Sequence, residues 1–167
     1  MSLLLRTANK RDIAHVGSLH YRSRASAYAD LLSPEAVTFG SPTALGEWWA
    51  ERWRWERDTH RMTVAVDGGA VVGFTYLGPS AEPGVRELSA IHVDPSYVGT
   101  GVGRLLMRDA LPHLGERAVL WVVAGNDRAR RFYECGGWVF DGTTREAPIG
   151  GDTVRQLRYS RTAPRPA

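Results

Sequence analysis

Two hydrophobic periods alternate along this chain, one of three to four residues and one of two, and the changes between them divide it into elements. Leu3 to Thr7 reads as a first strand, and Asn9 to Asp12 supplies capping residues ahead of Ile13, Val16, Leu19 and His20 at helical spacing. Tyr21, Tyr28 and the turn Asp30 to Pro34 follow. Ser33-Pro34-Glu35 starts a short helix, and Ser41-Pro42-Thr43 caps a longer one from Ala44 to about Arg57. Leu45, Trp48, Trp49, Arg52, Trp53 and Glu56 share a face of that helix, and its tryptophans read first as a core stripe. From Met62 the period is that of strands. Met62 to Val66, the turn Asp67-Gly68-Gly69 and Ala70 to Leu77 form a hairpin, with glycine where positive φ is needed. Gly78 to Gly84 reads as a loop, Arg86 to Val93 as a strand, Arg104 to Leu114 as a helix, Ala118 to Ala124 as a buried strand and Asp127 to Cys135 as a helix. Trp138 to Gly142 and Thr153 to Tyr159 close the pattern as antiparallel strands. No repeat or linker divides residues 1–161, which predicts one α+β layered domain, while 162–167 has nothing to bury and is expected to be a disordered tail.

Composition narrows the function classes. No apolar run reaches the roughly 18 residues of a membrane span, and no basic segment with an apolar signal core opens the chain, so a cytoplasmic protein with no membrane partner is expected. The net charge is +3, and Glu51 to Arg61 interleaves arginine with tryptophan. Four arginines against three acids there leave too little charge to footprint a phosphate backbone, so no nucleic-acid partner is expected. The single cysteine, Cys135, excludes an intrachain disulfide and reads as a small packed residue. The histidines (His15, His20, His60, His92 and His113) lack ligand spacing, so no metal is expected.

Candidate chemistry concentrates between Glu87 and Arg104. A β-rich run stops at Asp94-Pro95 and passes through Gly99, Gly101 and Gly103 into a helical pattern. A strand feeding a glycine loop that opens a helix offers unpaired amides and a positive dipole end, which suit phosphate. A Walker A loop would need Lys-Ser or Lys-Thr after the last glycine, and a dinucleotide fingerprint would need glycine at Arg104, so neither fits. The loop resembles the pyrophosphate loop of the GCN5-related N-acetyltransferases (GNAT), written Arg or Gln, two residues, Gly, one residue, Gly or Ala. Val98, Gly101 and Gly103 occupy those places, so the first departs and the glycines match. Downstream, Leu120 to Asn126, Ala129, Phe132-Tyr133 and Gly137-Trp138 are similar to the family's strand, Asn, Ala, Phe-Tyr and Gly-aromatic series.

The resemblance implies a mixed, mostly antiparallel α/β sheet of six to seven strands, a splayed central parallel pair and flanking helices. It implies acetyl-CoA as co-substrate and direct transfer to a primary amine. By the same resemblance the backbone of Ile91 and Val93 holds the pantetheine arm. Amides from Val98, Gly99, Thr100, Gly101, Val102, Gly103 and Arg104 hold the pyrophosphate, and Asn126 contacts the pantetheine. Valine at 98 keeps its peptide NH, so weaker cofactor binding is expected and not its loss. Arg128, Arg130 and Arg131 open the helix after Asn126, and Arg130 is expected to reach the phosphates. Tyr133 is the candidate acid for the departing thiolate and Glu87 the candidate base, with His92 or water as alternatives. Tyr28, Trp48, Trp49 and Glu51 are candidates for the acceptor pocket, whose small amine the pattern does not identify. A protein N-terminus or lysine as acceptor, a non-catalytic acyl-CoA sensor, and a homodimeric state stay open at this point.

Overall fold

The structure, a computed structural model, describes residues 2–164. The helices are α1 (Ile13–Ala27), α2 (Pro34–Val37), α3 (Pro42–Glu56), α4 (Val102–Ala110) and α5 (Asp127–Cys135). The strands are β1 (Leu3–Thr7), β2 (Arg61–Asp67), β3 (Ala70–Pro79), β4 (Arg86–Val93), β5 (Arg117–Val123), β6 (Val139–Ile149) and β7 (Asp152–Thr162). They form one seven-stranded sheet in the order β1-β2-β3-β4-β5-β7-β6, antiparallel except between β4 and β5. This is the mixed, mostly antiparallel sheet with flanking helices and a central parallel pair that the resemblance implies.

The boundaries depart from the sequence reading where glycine and proline mislead. Gly78 and Pro79 belong to β3, which shortens the expected loop. Strand β6 runs through Gly142 and Pro148, because the register shift between Phe140 and Thr144 absorbs the glycine at φ 88° and the strand then resumes. Strand β7 reaches Thr162, which pairs with Arg117, and Ala163 donates to the Glu116 carbonyl 2.8 Å away, so the expected tail begins as strand. Residues 165–167 of that expected tail lie outside the described residues. Helix α4 opens at Val102, two residues early, and Leu111–His113 closes it as a 3₁₀ turn, since Pro112 removes a donor. Cys135 is exposed rather than packed.

Helices α1 and α3 cover one face of the sheet, where Val16, Leu19, Trp49, Val64, Phe74 and Tyr76 are buried together. The other face carries α4 and α5: Leu106 of α4 packs on Val72 and Ala65, and Met107 of α4, Leu114 just beyond it and Ala129 and Phe132 of α5 join Leu77, Leu88 and Leu120. Two contacts hold the α1–α3 side in place. A Cβ on Gly17 would lie 2.3 Å from the backbone nitrogen of Gly46, so the two helices touch backbone to backbone. The connection between α1 and α3 is fastened across the sheet, because Ser33 donates through its N–H and Oγ to both Asp152 oxygens, at 2.8 and 2.9 Å. Ala36 packs there against Gly150, whose added Cβ would meet the Ala36 carbonyl oxygen at 2.1 Å.

The helix contact makes a quantitative prediction. Gly17→Ala forces α1 and α3 apart and costs about 1–3 kcal/mol, read as a lower urea midpoint, although alanine is the better helix former. Gly46→Ala, whose Cβ would meet Ala14 atoms no closer than 3.6 Å, is expected to hold or raise stability. Equal midpoints for Gly17→Ala and the parent would contradict the close packing.

Candidate active site

Strands β4 and β5 stay paired only at Arg86 with Ala118 and at Glu87 with Val119. Beyond those pairs they diverge. One cause lies in β4, where Leu77 pairs with Leu88 but Tyr76 with Ala90, so Ser89 is an extra bulged residue that bends the strand. The divergence exposes two rows of backbone groups. The Asp94 amide donates to the Val72 carbonyl, so His92 likewise faces β3 and, with a period of two, the amides of Ile91 and Val93 face the gap. The Ala124 amide donates to Arg155, so Trp121 and Val123 face the gap from the other side. A cleft of about 680 Å³ occupies the opening.

The glycine loop forms one end of this cleft. Gly99 and Gly101 adopt φ of 80° and 97°, where a side chain would be strained, and a Cβ on either would point into open space. Gly101 is the N-cap of α4, and the first turn leaves the amides of Val102, Gly103 and Arg104 without helical partners. Gly103 lies where α4 and α5 approach, and a Cβ there would meet the Phe132 ring at 3.5 Å, an ordinary contact, so neither space nor φ requires glycine at this position. Val98 is extended and lines the cleft beside Thr100 and Arg104. Its N–H is 3.4 Å from the Pro95 carbonyl, a weak bond that leaves the backbone available.

Helix α5 supplies the opposite wall. Asn126 caps it by accepting from the Ala129 amide at 3.2 Å, which fixes the side chain and leaves the amide NH2 over the cleft. The Tyr133 ring lines the cleft, and its hydroxyl has no hydrogen-bond partner among the described residues. Burial, with a smaller contribution from Tyr28, raises its pKa, so the phenol keeps its proton. Arg130 does not face the cleft. Its Nε donates to the Tyr159 hydroxyl on β7 and its NH1 to the Ala124 carbonyl just past β5, both at 3.1 Å, which makes it a clamp between α5 and these strands and corrects the expected phosphate contact. Arg128, two residues earlier and on the other side of the helix, lines the cleft instead.

The acceptor candidates separate. Tyr28 lines the cleft, but Trp49 is only 1% exposed and donates from Nε1 to His20 Nδ1 at 3.0 Å, so it is core. Trp48 stacks edge-on against Trp49 and is otherwise exposed, and neither it nor the exposed Glu51 borders the cleft. Helical spacing put three tryptophans on one face without saying which faced the sheet. Glu87 stands on the α1–α3 side of β4, where burial raises its pKa against the nearby Arg145 and Arg52. It is not a wall of the cleft. His92 is, and its Nδ1 lies 3.0 Å from Ser23 Oγ. Burial first, then the neighbouring His20 and Arg24, hold the His92 pKa well below its ordinary value, and His20, with its ring centroid 4.4 Å away, is depressed to about 4 by burial and Arg24. Sequence reasoning missed Ser23, Arg24 and Trp121, which also line the cleft. No spacing rule links α1 to this end of the sheet. Among the described residues no group of three or more His, Cys, Asp or Glu side chains is placed to hold a metal ion.

A sheet split at a parallel pair, with a phosphate-type loop at one end and a half-buried phenol at the other, is the architecture that the resemblance to the acetyltransferases implies. Comparison places the chain within that class: the profile of the acetyltransferase (GNAT) family matches residues 26–137, and the chain belongs to this family. It is 30% identical to a probable N-acetyltransferase of Mycobacterium tuberculosis over 98% of this chain and 97% of that one. Its fold is similar to the PaiA N-acetyltransferase of Thermoplasma acidophilum, solved in complex with coenzyme A, with a TM-score of 0.70 at 19% identity over 95% of this chain and 100% of that one. A GCN5-related N-acetyltransferase structure from Rhodopseudomonas palustris superposes with a TM-score of 0.71 at 20% identity, covering 98% and 97% of the two chains.

The histidine pair predicts an acid-side loss of stability. The unfolded chain binds a proton at His20 near its ordinary pKa of 6.5, while the folded chain resists until about 4, so stability falls as pH drops through that interval. His20→Asn keeps an acceptor for Trp49 and removes the titrating ring. Urea midpoints measured from pH 7 to 4 are expected to fall less steeply in this variant, and identical slopes would place the loss elsewhere.

Proposed function

We propose that the protein is an acetyl-CoA-dependent N-acetyltransferase that moves an acetyl group directly from the thioester to the primary amine of a small molecule. The observation that carries this reading is the cleft itself, with unpaired loop amides at one end, inward-facing strand amides along it and an unpartnered phenol at the other end. The residues fit the group. Gly101 to Arg104 offer amides to a pyrophosphate, the open space over Gly101 admits it, and Arg104 and Arg128 add charge. Ile91 and Val93 pair with an extended amide-bearing arm as a strand would, and Asn126 reaches the same arm. The Val93 amide is suited to polarise the thioester carbonyl.

The amine nitrogen bonds to the thioester carbonyl carbon, the C–S bond breaks, and the sulfur takes the Tyr133 proton. The amine gives its proton through water to Glu87, whose raised pKa makes it a better base than an ordinary carboxylate. His92 is the weaker alternative, because its environment disfavours the imidazolium that it would become. The Ser33–Asp152 fastening bridges the α1–α3 connection to the β6–β7 hairpin over the acceptor side, which favours a small amine over a folded protein surface.

Thiol release from acetyl-CoA across a panel of amines tests the reading. Tyr133→Phe is expected to lower kcat by about 10² to 10⁴ while acetyl-CoA affinity changes little. In the parent, kcat/KM is expected to rise with pH through the elevated Glu87 pKa, and Glu87→Gln removes that rise. A Tyr133→Phe enzyme that turns over like the parent would remove Tyr133 from the mechanism. No thiol release with any amine, in a protein that binds acetyl-CoA, would leave a sensor.

A further inference from the structure

Helix α1 carries a buried cation that the reaction above does not use. Arg24 is only 8% exposed and lines the cleft. Its NH2 donates to the carbonyl oxygen of Phe39, its Nε has no hydrogen-bond partner, and no carboxylate pairs with it among the described residues. The groups around it supply no counter-charge. From its own helix and the turn beyond come His20, Tyr21 and Tyr28, with the Tyr21 ring 5.8 Å from the guanidinium carbon; from β4 comes His92, and from the connection after α2 the Phe39 carbonyl. Asp30 and Glu35, the nearest acids in sequence, are exposed. A guanidinium cannot shed its proton, and one withdrawn from water without an anion is costly enough that proteins rarely retain it unless something binds there.

The position of Arg24 says which end of the cleft that anion occupies. Arg22, on the same helix, pairs with Asp94 at 2.7 Å beside the glycine loop. Two residues on, about 200° around the helix axis, Arg24 points away from that loop, toward Tyr28 and Phe39 on the acceptor side. A second cation flanks the same side, since Arg145 stacks 4.0 Å over the Trp121 ring and is held by Gln156 at 2.7 Å. Glu87 is the acid that Arg145 faces.

We propose that Arg24 is the anion-recognising residue of the acceptor pocket, and that the acceptor is a primary amine carrying a carboxylate or a comparable oxyanion, as an amino acid does. The inference rests on the acetyltransferase reading for its substrate, but not for its binding test. The ammonium end meets Glu87, the anionic end meets Arg24, and the guanidinium gains the charge-assisted bonds that it lacks in the free protein. The same chemistry has one other source, a phosphate of coenzyme A.

N-acetyl amino acids and their carboxamides, titrated by calorimetry into the protein saturated with coenzyme A, separate these. The carboxylates are expected to bind about ten- to hundredfold more tightly than the carboxamides, the difference a charge-assisted hydrogen bond makes. Arg24→Met, which keeps the chain length, abolishes the preference, and Arg24→Lys keeps part of it. Coenzyme A affinity is expected to stay within about twofold in Arg24→Met. No carboxylate preference in the parent overturns the inference, and so does a preference that survives in folded Arg24→Met. A loss of coenzyme A affinity of about tenfold or more in that variant assigns Arg24 to a cofactor phosphate and also overturns it. If Arg24→Met does not fold, the parent and Arg24→Lys titrations decide alone. Absence of acetyl transfer to any amine would sink the proposed reaction while leaving this binding result standing.

Discussion

The structure turns on a pairing that stops. Strands β4 and β5 share two residue pairs and then separate, although a sheet gains by continuing its ladder. Each strand is committed on its far side, β4 to β3 through a bulge at Ser89 and β5 to β7 in unbroken register from Arg117 to Val123. The consequence is a row of amides on Ile91 and Val93 with no strand to meet them, inside an otherwise well-packed molecule. Strand amides that face no neighbouring strand suit an extended molecule with amides of its own, which is the use that the proposed function makes of the gap. The glycine loop, the N-terminus of α4 and the ring of Tyr133 take their meaning from where that gap begins and ends.

What surrounds the gap keeps it open at a fixed width. On one face α4 and α5 approach closely enough that Gly103 sits against Phe132, and on the other α1 and α3 meet at Gly17 and Gly46. The polar groups trapped between these layers are mostly paired. Trp49 donates to His20, Ser23 meets His92, and the Tyr76 hydroxyl donates to Glu56, which also pairs with Arg52 at 3.1 Å. Arg24 is the buried charged group of the cleft that lacks a carboxylate partner, and the proposed reading places it on the acceptor side.

Local patterns made the glycine-loop half of the cleft legible. Gly99 and Gly101 announced positive φ, and Asn126 and Phe132-Tyr133 followed at a spacing that α5 turns toward the gap. The acceptor half was much less legible, because long-range contacts build it. Trp49 and Trp48 are adjacent in sequence, yet one is core and the other faces solvent, and helical period alone cannot choose between them. Arg130 and Arg128 lie on the same helix, and only the position of Tyr159 shows that the first is a clamp. Nothing in the residues around Arg24 marks it as buried, since that depends on the α1–α3 connection folding over it. Gly142 and Pro148 read as strand breakers, whereas β6 absorbs the first in a bulge and keeps the second near its end.

The central claim is that the gap between β4 and β5 binds acetyl-CoA with its pyrophosphate on the amides that follow Gly101. Calorimetric titration of acetyl-CoA into the parent and into Gly101→Glu tests it most directly, since that side chain would enter the open space above the loop with a negative charge and a strained backbone. The account predicts one site per chain in the parent and no measurable binding by a folded Gly101→Glu. Equal affinity in the two proteins, or no heat and no rise in Tm with saturating acetyl-CoA in the parent, would contradict it.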